Sequence, residues 1–490
     1  MSDTVRTRFA PSPTGEPHLG NARTAILNWL FARNQGGAFV LRLEDTDTAR
    51  NVEGGEEALV EALDWLGLDR DEGPAEGGAY GPYRQSERTD HYVDRAARLF
   101  EEGAAFRCFC TPEQIASDRE RAIAAGGPPG LDTRCRDLTA EEADARAATL
   151  APEGSAPALR LRVDPGPIVF RDRLKGELSI DGADLGDMIL LRADGRPTYN
   201  FAVAVDDLEM RISHVIRGIG HLSNTPKQVL LYRAFGVEPP EFIHIPSVLA
   251  PGGGKLSKRE GAPGVLKYRD DGYPADAVLN YLSLLAWSSD TGEEFLTRRQ
   301  LIEQIDLDRI GAADAAVDPE KMRWLAGQHL RGEPVDVLAA RWAEVPAVAT
   351  LDLTEEDLIR SAEVFAKRTC LVADAGPELA AVFPEPDLTS TEAAGPLASG
   401  GARLALETLL SAWEEIDWRP ETLRIAMRDG MKASGLPGKE FFQPTRVALI
   451  GSTHGPDVAE IAFALGVRRT RARLERALGA TGDPPISEAS

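Results

Sequence analysis

Short apolar runs alternate with helically spaced ones over the first part of the chain. Phe39-Val40-Leu41-Arg42-Leu43 reads as a buried strand, 22–30 as a helix, and 56–66 as a second helix whose apolar spacing closes on Gly67. This alternation from Arg6 to Leu68 predicts a βαβ unit, hence an α/β fold with a parallel sheet covered by helices. Glycines between Gly73 and Gly81 predict a loop. From there to Gly195 the chain reads as an insertion with its own helices, among them an acidic, alanine-rich one at 139–150. The βα texture returns between Tyr199 and Pro246, where Val215-Ile216-Arg217 and Phe242-Ile243-His244-Ile245 read as strands flanking a helix over 227–233. A sheet split by an insertion accounts for both stretches. After Tyr268 the pattern is helical almost throughout, with no second sheet expected, and the Pro-, Ala- and Gly-rich passage 383–401 reads as a linker or long loop between helical bundles. No internal repeat is visible.

Length and charge narrow this picture. A chain of 490 residues is too long for one core and implies two to four domains of about 100–200 residues. The net charge of −23 argues against a generic phosphate-binding surface, yet a local patch escapes that average. Val467-Arg468-Arg469-Thr470-Arg471-Ala472-Arg473-Leu474-Glu475-Arg476 is strongly basic, and both an exposed helix face and an RNA contact fit it. Four cysteines make no disulfide framework in a chain this long; Cys108, Cys110 and Cys135 cluster as reduced thiols would, buried or holding a metal. No apolar run reaches the length of a membrane span, and Met1-Ser2-Asp3-Thr4 begins without a basic, apolar leader, so a cytoplasmic protein is expected.

Two separated segments point to nucleotide chemistry. Pro11 and Pro13 forbid a helix before Gly15, so in Pro17-His18-Leu19-Gly20-Asn21 the residues His18 and Gly20 stand where a loop enters a helix. Backbone N–H groups at such an entrance, beside a glycine, can approach an anion closely. Far along the chain, Lys255-Leu256-Ser257-Lys258-Arg259 follows Pro251-Gly252-Gly253-Gly254, a loop able to carry two lysines onto the same polyphosphate. A P-loop fails twice here, needing Gly where Leu249 stands and Ser or Thr where Leu256 stands. Gly218-x-Gly220-x-x-Ser223 lacks the last glycine of a dinucleotide fingerprint.

Together the two segments resemble the HIGH and KMSKS signatures of class I aminoacyl-tRNA synthetases. The intervening sequence is similar to the glutamyl-tRNA synthetase family: Leu41-Arg42-Leu43-Glu44-Asp45-Thr46-Asp47, Gly81-Pro82-Tyr83-Arg84-Gln85-Ser86-Glu87-Arg88, Pro197-Thr198-Tyr199-Asn200-Phe201 and His214-Val215-Ile216-Arg217-Gly218. The likeness continues through Asp318-Pro319-Glu320-Lys321 and Gln443-Pro444-Thr445-Arg446, so it covers nearly the whole chain.

The resemblance implies a bacterial-type class I architecture. A Rossmann-type sheet would occupy 1–83 and 197–253, an acceptor-end insertion 84–196, a KMSKS-loop and stem-contact part 254–334, and an all-α anticodon-binding region 335–490. It implies ATP-dependent activation of L-glutamate and transfer to tRNA(Glu), with Mg2+ accompanying ATP, by an enzyme that is monomeric and not membrane-bound. Catalysis would fall to His18, Gly20, Lys255 and Lys258, with Lys258 taking the larger share of transition-state stabilisation. ATP would also meet Pro11, Asn21, Val248, Leu256, Ser257 and Arg259. Arg217 would grip the glutamate side-chain carboxylate, assisted by Arg8 and Ser12, while Glu44 holds the amino group and Tyr199 and Asn200 line the wall. Lys367, Arg368 and Arg446 are the expected tRNA contacts.

Cys108, Cys110 and Cys135 resemble the structural zinc site of some members, with Asp137 where those have histidine; three buried thiols without metal fit equally well. The chain departs from the family pattern at Ile219-Gly220, where an acidic pair is usual, and Val203 replaces a polar residue of some relatives. Two other readings therefore stand beside a glutamate ligase: a paralogue with altered amino-acid or tRNA specificity, and a catalytically silent tRNA-binding regulator.

Overall fold

Pro17 and the side chain of His18 set where the first helix begins. His18 is extended, and its Nδ1 accepts from the backbone N–H of Gly20 (3.0 Å) and Asn21 (3.3 Å) ahead of the helix Leu19–Asn34. An imidazole thus fills the N-cap role more often given to Ser, Thr, Asp or Asn. The helix joins β1 (Arg6–Phe9) to β2 (Ala38–Leu41), which pair in parallel with Arg6 opposite Ala38 and Phe9 opposite Leu41. The predicted βαβ unit forms, except that Leu43 leaves β2 to bridge Arg84. The helix Gly55–Trp65 follows, and Gly67 at φ +65° supplies the left-handed step that ends it.

The computed structural model describes residues 4–47, 51–124, 134–150, 156–254 and 263–481. They fall into two compact units, Met1–Arg269 with Val278–Pro319, and Asp270–Ala277 with Glu320–Ser490. In the first unit the inserted stretch carries strands the hydrophobic pattern did not reveal. β3 (Ala105–Cys108), β4 (Ala158–Leu161) and β7 (Met188–Leu191) form an antiparallel sheet in the order β3-β4-β7, and β5 (Pro167–Asp172) and β6 (Gly176–Asp181) form a hairpin. That hairpin joins the strands of the returning βα stretch: β5 pairs in parallel with β9 (Glu241–Ile245) at Asp172 and Phe242, and β9 pairs with β8 (His214–Gly218), giving the order β6-β5-β9-β8. Ser213, just before β8, donates its N–H to the Arg6 carbonyl (3.0 Å), so the two halves of the split fold meet at β1 and β8.

β10 (Val248–Leu249) pairs with β11 (Ala315–Ala316), which corrects the expectation that the chain after Tyr268 adds no second sheet. Both strands have two residues, too short for an alternating pattern to register.

The second unit is helical, and its core includes Trp342, Phe365, Phe441 and Ile461, all fully or almost fully buried. The passage 383–401 is not a linker. Ser390 caps the helix Thr391–Leu397, accepting from Ala393 N–H at 3.2 Å, and Ala393 and Leu397 enter the same core as the helices on either side. The basic segment is also resolved. Arg469 pairs with Asp357 (2.7 Å), Arg476 with Glu385 (2.5 Å) and Arg471 with Glu475 (2.8 Å). Arg473 is buried and donates to the carbonyls of Val382, Leu449, Phe383 and Pro384. These arginines tie the final helix, Val458–Ala480 with its break at Gly466 (φ 74°), into its own unit. Among the described residues no helix is long and apolar enough to cross a membrane.

Candidate active site

A cleft of about 480 Å³ opens at the carboxyl ends of β1 and β8, where open parallel sheets bind ligands. Arg8, Pro11, Ser12, His18, Gly20, Asn21, Glu44, Tyr199, Arg217 and Val248 all line it, residues brought together from sequence positions more than two hundred apart. Asn200 does not: it lines a separate cavity of about 280 Å³, with its Oδ1 accepting from Gln228 Nε2 (3.3 Å). Lys255, Leu256, Ser257, Lys258 and Arg259 lie outside the described residues. His18 has a definite tautomer, since Nδ1 accepts two N–H bonds and the ring proton must sit on Nε2. The N–H groups of Gly20 and Asn21 are thereby turned onto the imidazole rather than held ready for an anion, which corrects the simple helix-entrance picture.

Behind the cleft lies a buried charge network. Asp207, on the helix Tyr199–Glu209, accepts from Arg8 Nε (3.1 Å) and Arg42 Nη1 (2.7 Å), and Arg42 Nη2 reaches Glu44 (3.2 Å). Asp206, next in the same helix, accepts from Arg88 Nε at 2.7 Å and Gln85 Nε2 at 2.8 Å. Burial opposes ionisation of Asp207, but Arg8 and Arg42 hold its carboxyl below the usual carboxylate range. For Glu44 burial prevails over Arg42 and Arg8 and pushes the carboxyl up. A carboxylate so placed gains from a cationic ligand group.

Arg217 closes the other wall. Burial, with Tyr199 and Asp207 offsetting it and Arg8 adding to it, lowers its guanidinium to about 10, so it stays charged at neutral pH. Its Nε donates to His244 Nε2 (3.0 Å) and its Nη2 to Thr225 Oγ1 (2.8 Å). Nη1 is buried without a hydrogen-bond partner among the described residues. An unpartnered guanidinium nitrogen at a cleft wall is costly unless an anion completes it. Tyr199 Oη stands 3.1 Å from His221 Nδ1, and Ile219 and Gly220 border the same space.

Arg23 carries no signal in the sequence; it is buried at the cleft with Nε and Nη1 unpartnered among the described residues, and desolvation lowers it to about 10. The pair Asp206-Asp207 carried a signal: two adjacent acids among buried Ala202, Val203, Ala204 and Val205 demand buried cations.

Away from the cleft, the Sγ atoms of Cys108, Cys110 and Cys135 lie within 4.8 Å of one another, with Cys110 and Cys135 at 3.7 Å. Three converging thiols fit three corners of a tetrahedral zinc site. Asp137 is exposed and its carboxylate is not part of this group. In the helical unit Lys367 pairs with Glu460, Arg368 with Glu378 (2.8 Å), and Arg446 Nη1 donates to the Thr453 carbonyl (3.1 Å).

Residues 4–324 match the family model described as tRNA synthetases class I (E and Q), catalytic domain, and residues 337–478 match one described as an anticodon binding domain. A glutamate–tRNA ligase of Moorella thermoacetica is 42% identical over 96% of this chain and 98% of that protein. One from Bacillus subtilis is 38% identical over 97% and 100%. The crystal structure of a glutamate tRNA ligase from Elizabethkingia meningosepticum in complex with its amino acid has a TM-score of 0.84 and 33% identity, covering 98% of this chain and 100% of that one.

Proposed function

The chain belongs to the glutamate–tRNA ligase family of class I synthetases, and from that premise we propose how its cleft divides the work. A glutamate α-carboxylate oxygen attacks the α-phosphorus of ATP, forming the mixed anhydride and expelling pyrophosphate. A hydroxyl of the 3'-terminal adenosine of tRNA(Glu) then attacks the anhydride carbonyl, and AMP leaves. Two anions must meet in the first step, so the protein's task is fixed positive charge and orientation.

Arg217 Nη1, buried and unpartnered, is suited to the side-chain carboxylate of glutamate, with Arg8 supporting the same negative end. Glu44, raised by burial, is suited to the α-ammonium group, and Tyr199 and Ser12 bound the pocket. His18 presents Nε2–H toward the nucleotide side, beside Gly20, Pro11, Asn21 and Val248. Lys255 and Lys258, with Leu256, Ser257 and Arg259, take the phosphates. Magnesium bound with ATP supplies further neutralisation of phosphate charge. Zinc, where present, would be held by Cys108, Cys110 and Cys135 in a structural role.

On this reading 1–83 and 197–253 form the nucleotide-binding halves, 84–196 receives the acceptor end, 254–334 carries the two lysines, and 335–490 reads the anticodon. Lys367, Arg368 and Arg446 are its proposed tRNA contacts, the first two by exchanging a carboxylate partner for phosphate. The observation carrying the proposal is one cleft lined by His18 and Gly20 together with Arg8, Glu44, Tyr199 and Arg217. Amino-acid-dependent ATP–pyrophosphate exchange tests it: exchange with glutamate, in the presence of tRNA, is expected. The neutral Ile219-Gly220 pair favours a second reading, a paralogue for another acid, which exchange with that acid alone would reveal. No exchange with any acid would leave only the tRNA-binding regulator.

A further inference from the structure

His244 lies directly opposite Arg217 on neighbouring parallel strands, and Asp172 reaches His244 from the inserted hairpin. In the register of β8 and β9, Arg217 is the partner of His244, while Asp172 closes β5 beside Phe242 of β9. Asp172 and His244 are fully buried, Arg217 nearly so. His244 Nδ1 is 2.7 Å from Asp172 Oδ2, which also accepts the His244 backbone N–H at 3.0 Å. Asp172 Oδ1 accepts the N–H groups of Leu174 (3.0 Å) and Lys175 (2.9 Å), so both carboxylate oxygens are occupied by fixed donors.

The donor count settles the direction of the chain. Against the opposing cost of burial, these donors hold Asp172 below the usual carboxylate range, so it is an acceptor only. The proton of His244 therefore sits on Nδ1, and Nε2 presents a lone pair to Arg217 Nε–H at 3.0 Å. Burial lowers the His244 imidazole further from its charged form, with Asp172 opposing and Arg217 adding to the effect. The opposite tautomer would set two N–H groups face to face. With Nε held by His244 and Nη2 by Thr225, the guanidinium plane is fixed and Nη1 remains for a ligand.

We propose that Asp172 and His244 are positioning residues, a buried relay by which the inserted hairpin sets the Arg217 guanidinium for the side-chain carboxylate of the amino-acid substrate. The inference rests on the reading of Arg217 as the carboxylate ligand. A buried charged pair is no necessity for stability, since apolar residues of similar volume often serve as well. Its value here is alignment, and bidentate recognition of a carboxylate depends on the plane of the fork.

The test compares His244→Leu, His244→Gln and Arg217→Ala in the full chain by pyrophosphate exchange with tRNA present. His244→Leu is expected to raise the KM for glutamate by about 10- to 100-fold with the KM for ATP nearly unchanged, and to lower the melting temperature, because it leaves Asp172 buried without its ring partner. His244→Gln, which keeps an acceptor for Arg217 and a donor for Asp172, should recover most of that loss. An unchanged glutamate KM in His244→Leu, or an equal rise for ATP, overturns the relay. If Arg217→Ala itself leaves the glutamate KM intact, the pocket reading fails instead. Should the histidine variants not fold, 15N spectra of histidine-labelled wild type decide: a neutral Nδ1–H tautomer between pH 6 and 8 supports the relay, and an Nε2–H or doubly protonated ring refutes it.

Discussion

Arg8 at the end of β1 and Asp207 on the helix Tyr199–Glu209 form an ion pair with 3.1 Å between Nε and Oδ1, both side chains nearly excluded from water. Because Asp207 also holds Arg42, the Asp207→Asn variant leaves two buried guanidiniums short of a counter-charge. The expected loss is about 3–5 kcal/mol of stability, read by denaturant unfolding, with a raised KM for glutamate as Arg8 loses its anchor. The sign of the pH effect follows from the depressed carboxyl. Its contribution is present above the unfolded value of about 3.9 and is lost as pH falls through the lower folded value. Wild type should therefore show an acid-side loss that Asp207→Asn lacks; parallel acid-unfolding curves would contradict the assignment.

His221 should stay neutral through the physiological range. Although the residue keeps access to solvent, desolvation at the cleft wall, with Arg217 and Arg8 nearby, lowers its imidazole to about 4. Any stability linked to it is present above the unfolded value of about 6.5 and declines as pH falls from there toward 4. An NMR titration is expected to give a midpoint near 4, moving upward with saturating glutamate as a bound carboxylate offsets Arg217. A midpoint at or above 6.5 would show that the ring does not face these cations.

Two glycines of the cleft should respond differently to alanine. A Cβ at Gly20 would stand 3.0 Å from His18 Cε1 and 3.1 Å from Nδ1, so the capping imidazole must shift by a few tenths of an ångström. Displacing Nε2–H by that amount should lower turnover about tenfold, with melting temperature little changed. At Gly220 a Cβ meets nothing within 4 Å. Gly220→Ala should leave stability within about 0.5 kcal/mol of wild type, with unchanged KM values. Equal effects of the two substitutions in a pyrophosphate-exchange assay would refute the distinction.

The first βαβ unit is legible in the sequence because it is local, and the cleft because its residues sit in motifs that resemble a family. The apolar run in β2 and the proline-bounded entrance to Leu19–Asn34 predict the first βαβ unit, and the motif residues Arg8, His18, Glu44, Tyr199 and Arg217 do share a cleft. What stays hidden depends on partners chosen by tertiary pairing. Asp172 meets His244 across 72 positions and Arg8 meets Asp207 across 199, and neither side chain announces its partner. Asn200 illustrates a different limit. Successive helical residues point about 100° apart, and here that turn carries Asn200 away from the cleft that Tyr199 lines. The Pro, Ala and Gly content of the helix Thr391–Leu397 hides it, and its cap at Ser390 shows only in the structure.

On the proposed reading Lys258 stabilises the charge that builds on the leaving pyrophosphate. Lys258→Ala should lower the exchange rate by about 10²–10³ while changing tRNA affinity little, because one preorganised charge acts chiefly on the pyrophosphate-leaving transition state. Equal losses in turnover and in tRNA binding, measured by exchange and by filter binding, would move this lysine from catalysis to RNA contact.

The thiol group separates two expectations about zinc. Cys108, Cys110 and Cys135 converge within 4.8 Å, whereas the carboxylate of Asp137 stands apart on an exposed residue. Metal content by mass spectrometry is expected to show zinc in wild type and in Asp137→Ala, and little in Cys110→Ser, since each thiolate is one of the three converging donors among the described residues. Chelation should then lower the melting temperature of wild type and Asp137→Ala alike, leaving Cys110→Ser unaffected, because metal affinity of this kind contributes directly to folding. Loss of zinc in Asp137→Ala would mean that the turn carrying it closes onto the thiols when metal binds; absence of zinc from wild type would leave the three cysteines as packing for Phe106 and Phe109, the cluster they already share.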